Sequence, residues 1–351
     1  MRKLWFHIAD HPDCSGLLHE PDLESMFWPD VRHALAARDV AAVAHRGDAT
    51  PIGPDEVLVV LNVPQSMHRR NFSKASKRLR HYRRMFIWPS YSFVERHIAA
   101  AGRNRTVLMT LEPPSTLEDN FDPEVHARFG AVVTWSKAFS TVDSAVITPH
   151  PYLCPPRPDY QFPFDERKIA LMVASKKASP HPAELYSARE AIAAKAAARW
   201  PNSFDLFGSR WAPGTPGWRG RVDSKIKAHT RYRFGFAFEN SAEPDYVTEK
   251  IFDCLVGGAV PVYRGAPNIT DYVPSDAFVD ARQFSGLDDL FAHLESMPEA
   301  QWTRMRQAGD AFIASEGMQR HSPQAMADAV LEAVAICDRA DEQERRAAVA
   351  A

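Results

Sequence analysis

The feature that most constrains this chain is an alternation, carried through both halves, of short apolar runs of strand length with longer stretches of helical character. Residues 3–9, 40–44, 56–63, 106–111 and 131–135 read as strands in the first half. Residues 168–174, 204–208, 234–238 and 259–263 read so in the second, with helices expected at 183–199, 247–256, 287–294, 300–314 and 323–337. A continuous run such as KIALMVA, with no polar alternation, suits a strand buried on both faces of a parallel sheet. A chain of 351 residues exceeds one comfortable core, so two domains are expected. The proline-rich stretch PHPYLCPPRPDYQFPF continues neither a helix nor a central strand and reads as the linker. The expected division is residues 1–150 as a first Rossmann-like domain, 151–165 as linker, 166–337 as a second such domain, and 338–351 as a frayed helical tail. This is an α/β architecture of two doubly wound domains facing across a cleft, with ligands expected at the C-terminal edges of the strands.

Composition narrows the function. Hydrophobic residues at 45% and charged residues at 25% fit a globular chain, and a net charge of −2 argues against a dedicated nucleic-acid coat. Cys14, Cys154, Cys254 and Cys337 show no CxxC or Cys/His ligand spacing, so a reducing, cytoplasmic setting is expected. The opening MRKLWFHIADHPDCSG reads as a first strand rather than a signal segment, and no apolar run approaches the roughly eighteen residues of a membrane span. No GxSxG, HExxH or P-loop pattern organises the histidines. One charge asymmetry stands out at residues 69–84, RRNFSKASKRLRHYRR, which holds many lysines and arginines and no acidic residue. A solvated face is one reading; among functional ones an anionic membrane surface or glycolipid is favoured over nucleic acid, since no nucleic-acid module accompanies it.

Chemistry concentrates in residues 232–272, YRFGFAFENSAEPDYVTEKIFDCLVGGAVPVYRGAPNITDY, a strand, polar loop, helix and strand. Asp245 is the expected N-cap, and Gly257 with Gly258 the helix stop. Lys250 falls in the first turns, where the helix dipole already supplies positive charge and an anion should compensate. Helix N–H groups plus an ammonium suit a diphosphate, and the adjacent Glu249 suits the vicinal hydroxyls of a ribose. A solvated surface pair is the alternative for Glu249 and Lys250.

FENSAEPDYVTEKIFDCLVGGAVPVYRGAPN resembles the signature of the glycosyltransferase family 10 fucosyltransferases, and weaker likeness runs from about residue 106 to 284, including LYSAR and FDLFG. The resemblance implies a GT-B fold and transfer of L-fucose from GDP-β-L-fucose with inversion to a glycan hydroxyl, of lipopolysaccharide or another surface glycan, with an α1,3 linkage as the family default. It implies donor contacts from Glu239, Asn240, Tyr246, Thr248, Glu249 and Lys250, with Arg189 on the diphosphate and Lys176 or Lys177 as substitutes. Arg264 stands where relatives often have tryptophan, and its role stays open. The family's base is a glutamate just after a first-domain strand. In TVLMTLEPPS this is Glu112, before Pro113 and Pro114, which end the strand; Glu118 and Asp119 are nearby alternatives. No DxD pair accompanies a nucleotide-like loop, so metal-independent transfer without a cofactor is expected. Expected partners are GDP-fucose, an oligosaccharide or glycolipid acceptor and the anionic inner face of a membrane, with no nucleic acid. The alternatives are a transferase of another GDP-linked 6-deoxyhexose, or a noncatalytic anionic-glycan or nucleic-acid binder using residues 69–84.

Overall fold

The computed structural model describes residues 2–8, 27–45, 52–53, 55–62, 89–159 and 162–350; the basic stretch 69–84 lies outside them. The chain forms two compact units, Met1–Pro149 with Pro323–Ala351, and His150–Ser322. The first holds strands β1 (Arg2–Ile8), β2 (Val40–Ala44), β3 (Val57–Leu61), β4 (Thr106–Thr110), β5 (Ala131–Thr134) and β6 (Ala145–Ile147), with helices α1 (Phe27–Ala36) and α2 (Pro89–Ala101). The second holds β7 (Lys168–Val173), α3 (Tyr186–Arg199), β8 (Phe204–Phe207), α4 (Lys225–His229), β9 (Tyr232–Phe238), α5 (Glu249–Gly257), β10 (Val260–Arg264), β11 (Val279–Asp280), α6 (Leu287–Ser296) and α7 (Glu299–Ile313). Helix α8 (Pro323–Ala350) follows.

Every described strand pairing is parallel. The first sheet runs β2-β1-β3-β4-β5-β6 and the second β11-β10-β9-β7-β8. Counted from the first strand of each unit, the first order is 2-1-3-4-5-6 and the second, read from its β8 edge, is 2-1-3-4-5. Strand order therefore reverses between β1 and β3 in one unit and between β7 and β9 in the other, the kind of position at which open parallel sheets bind ligands. The expected doubly wound α/β class is present in both halves.

The long apolar strands work on two faces. In the first sheet Leu4, Phe6, Val57, Val59, Val107 and Met109 share a core with α1 and with Val330, Ala333, Val334 and Cys337 of α8. Trp5, Leu58, Val60 and Leu108 pack with Phe93, Val94 and Phe129 on the opposite face. This corrects the expected domain ends. Residues 323–337 do not belong to the second domain, because their apolar stripe covers a face of the first sheet that α1 alone leaves open. Nor is the start of the expected tail loose: Asp338 receives both terminal nitrogens of Arg2, and Asp341 pairs with Arg105, which ties this part of the helix to the amino ends of β1 and β4.

The proline-rich stretch also differs from a free linker. Tyr152 is buried among Phe252, Ile269 and Val273, and its hydroxyl donates to Asp253. Arg157 bonds the Leu255 carbonyl and pairs with Asp310. The second unit thus begins at residue 150, with prolines that forbid regular structure but not packing. Strands β6 and β11, three and two residues long, carry too short an apolar run to be read from sequence.

Candidate functional site

The carboxyl end of β9 lies at the reversal point of the second sheet, and the first residue past it is Glu239. Its N–H continues the ladder by donating to the Arg264 carbonyl on β10 at 2.8 Å. Its side chain is fully buried and turns to the start of α5. One carboxylate oxygen accepts the Thr248 N–H at 2.8 Å, and the other accepts the Thr248 hydroxyl at 2.7 Å. Close approach here requires Gly265, where a Cβ would lie 2.4 Å from both Glu239 Cγ and the Tyr263 hydroxyl.

Thr248, not Asp245, is the N-cap of α5, and Gly258 closes the helix in the left-handed conformation at φ 73°. Asp245 is itself left-handed at φ 68°. It is held by Asn268, which accepts its N–H and donates to its carboxylate, each at 2.9 Å, and by the Tyr272 hydroxyl at 2.8 Å. A cap-type residue is here a pinned corner of the loop before the helix.

Lys250 is 17% exposed at its side chain and is not a solvated surface lysine. Its ammonium lies 2.9 Å from the Thr248 hydroxyl, 3.1 Å from Glu249 and 3.3 Å from Glu239. Burial opposes its charge, but the carboxylates of Glu249 and Glu239 outweigh that and raise its pKa above the usual lysine value. Glu249 is the solvent-facing member of the group. Burial opposes its ionisation too, yet Lys250, Lys225 and His150 hold its carboxyl well below the ordinary range. One turn on, Asp253 is pushed up to about 7 by burial and by Glu249.

Arg189 is buried and spans the same corner from α3. Its Nε and Nη2 donate to the Phe238 carbonyl at 2.9 and 2.5 Å, and Nη2 also donates to Asn240 Oδ1 at 2.9 Å. Asn240 in turn donates to the Tyr246 hydroxyl at 3.3 Å, and its carbonyl accepts the Leu185 N–H at 3.0 Å. The structure therefore brings Arg189, Glu239, Asn240, Tyr246, Thr248, Glu249 and Lys250 into one connected corner. Glu239 is buried with its oxygens on Thr248 and Lys250, and Arg189 spends Nε and Nη2 on the main chain at the strand end. Lys176 is paired with Glu190 at 3.2 Å, and Arg264 is exposed at the end of β10.

In the first unit Glu112 follows β4 at its carboxyl edge, as the two prolines predict. Its Oε2 is buried and meets no hydrogen-bond partner among the described residues. The carboxylate is thus held in place by its main chain, through residues the sequence reading missed. Asn62, the residue past β3, has φ 62°, and its side-chain oxygen accepts the Leu111 and Glu112 N–H groups at 2.9 and 3.0 Å. Buried Asn120 donates to that same oxygen and to the Glu112 carbonyl, both at 3.0 Å, and the Trp135 indole donates to the Leu111 carbonyl at 3.2 Å. Glu118 and Asp119 lie between Glu112 and Asn120 in sequence, in the same 3-10 turn as Asn120.

Among the described residues no group of three or more His, Cys, Asp or Glu side chains could hold a metal ion. No described helix is long and apolar enough to cross a membrane.

Residues 193–345 match the family model described as glycosyltransferase family 10 (fucosyltransferase), C-terminal. The matched span takes in Glu239 to Lys250 and runs on into α8, and Arg189 and Glu112 lie outside it. A mouse alpha-(1,3)-fucosyltransferase 7 is 48% identical over 75 residues, covering 20% of this chain and 19% of that protein. An Arabidopsis thaliana alpha-(1,4)-fucosyltransferase is 40% identical over 70 residues, covering 20% and 18%. The matches to these relatives therefore span under a fifth of their length. Over the whole fold the chain is similar to an alpha1,3-fucosyltransferase solved with GDP-fucose, with a TM-score of 0.54 at 15% identity, covering 95% of this chain and 91% of that one. At that identity the likeness establishes the architecture, which is GT-B.

Proposed function

We propose, from the match of residues 193–345 to the model of glycosyltransferase family 10, that this chain is an inverting fucosyltransferase using GDP-β-L-fucose without a metal ion. The observation that carries the reading is the start of α5. A half-buried ammonium, Lys250, stands at the amino end of a nine-residue helix, at the reversal point of its sheet, beside a carboxylate that faces outward.

All three of the lysine's donors are committed in this arrangement, to Thr248, Glu249 and Glu239. A diphosphate that enters takes the place of the exposed partner, Glu249, which then turns to the ribose hydroxyls. Glu239 stays buried and keeps the ammonium aimed. As the sugar–phosphate bond breaks, negative charge grows on the diphosphate, and Lys250 with the helix N–H groups meets it in a partly desolvated site. In the proposed step Glu112 takes the proton from the acceptor hydroxyl as that oxygen attacks the anomeric carbon in one displacement. Inversion follows from that single step.

The acceptor proposed is a surface glycan such as a lipopolysaccharide precursor, joined by an α1,3 bond at the cytoplasmic face. The basic stretch 69–84 supports an anionic acceptor or membrane surface. The test is a screen of GDP-sugars in excess EDTA with linkage analysis of the product. Transfer from GDP-fucose is expected to persist in EDTA, and Glu112→Gln should lower turnover by about 10²–10⁴ while GDP still binds. A preference for another GDP-6-deoxyhexose would correct the sugar, and full turnover by Glu112→Gln would remove Glu112 from the mechanism.

A further inference from the structure

We infer that Asn62 and Asn120 are positioning residues for the carboxylate of Glu112, forming an amide clamp on its main chain; the inference rests on the reading of Glu112 as the base. Pro113 and Pro114 release the chain from the sheet immediately after Glu112, and among the described residues the β4–β5 ladder ends at Thr110, short of residues 111 and 112. The adjacent strand supplies the substitute. Asn62 extends β3 by one residue, its N–H donating to the Met109 carbonyl at 2.7 Å, and then adopts φ 62°, a conformation asparagine tolerates better than most residues.

That turn sends the side-chain oxygen back across to β4, where it accepts two consecutive N–H groups, of Leu111 and Glu112. Consecutive amides that converge on one acceptor fix the chain direction at Glu112, and with it the Cα–Cβ bond that aims the carboxylate. Asn120 closes the clamp from the other side: its amide nitrogen bridges Asn62 Oδ1 and the Glu112 carbonyl. The Asn120 carbonyl is itself bonded by His126 Nε2 at 2.7 Å, so the bridge rests on a buried support. The carboxylate has its buried Oε2 unengaged among the described residues, so its direction comes from these main-chain contacts. A base must lie within hydrogen-bond reach of the proton it takes, and a displacement of about 1 Å can cost roughly a hundredfold.

The test compares two variants that break the clamp with one that keeps it. Asn62→Gly retains the left-handed backbone and loses the acceptor. Asn120→Asp retains shape and replaces a donor with an oxygen facing two oxygens. Each is expected to lower kcat about 10–100-fold, with donor KM and GDP affinity unchanged. Asn62→Asp keeps the acceptor and should recover most of the turnover lost in Asn62→Gly. Wild-type kcat in both clamp-breaking variants, or losses that appear in GDP affinity rather than kcat, would overturn the inference. Glu112→Gln measured alongside separates the levels. If it is inactive while the clamp-breaking variants turn over normally, only the clamp falls; if it is fully active, the reading of Glu112 falls as well.

Discussion

The two units solve the same local problem with opposite chemistry. In each, the third strand ends at the reversal point of the sheet, its next residue donates an N–H to the fourth strand, and its side chain then captures the main chain of the functional segment. In the first unit that residue is Asn62, a neutral amide that holds Leu111 and Glu112. In the second it is Glu239, a buried carboxylate that holds Thr248 and Lys250. The clamp beside Glu112 is uncharged, whereas the carboxylate beside Lys250 is one of the two that raise the lysine's pKa.

The difference is sharpest when each clamp is removed. Glu239→Ala leaves the N–H and hydroxyl of Thr248 without their acceptor and Lys250 with Glu249 as its remaining carboxylate, and should cost about 3–5 kcal/mol in urea unfolding. Asn62→Gly loses only neutral bonds and should cost about 1–3 kcal/mol. Equal losses would erase the distinction between the corners. Gly265→Ala tests the packing behind the charged clamp: its Cβ would press on Glu239 and Tyr263, at a cost of about 1–3 kcal/mol.

The smallest effect is on pH dependence. The Glu249 carboxyl is held below its unfolded value of about 4.3, so its stabilisation is complete above that pH and drains away as pH falls through the folded value. Glu249→Gln should therefore flatten the loss of stability below about pH 4 and leave the neutral range unchanged, whereas Asn62→Gly should leave the acid slope as it is. A flattened slope in Asn62→Gly would mean that the neutral corner also carries charge linkage.

Much of this was legible in the sequence. Unbroken apolar runs such as VLVVL and KIALMV announce strands buried on both faces, and two prolines after Glu112 place it at a strand end. Lys250 and Glu249 declare themselves as charges in the first turn of an amphipathic helix. What stayed hidden depends on distant partners. The apolar stripe of α8 shows that a face is covered but not which sheet it covers. Asp245 has the chemistry of a cap, yet Asn268 and Tyr272, more than twenty positions on, pin it in a left-handed corner instead. Asn62 is one asparagine after an apolar run, and its partners lie some fifty residues away. Glu239 sits in a motif that suggests ligand contact, and its capture of Thr248 is not legible there.

The most direct test of the central claim, that the start of α5 receives a nucleotide diphosphate, is calorimetric titration of GDP into the protein and its Lys250→Met variant, with folding checked by thermal melts. The account predicts binding weakened at least about tenfold in the variant, since a charge-assisted contact is worth about 1.5–3 kcal/mol. Equal affinity in the two folded proteins would contradict it.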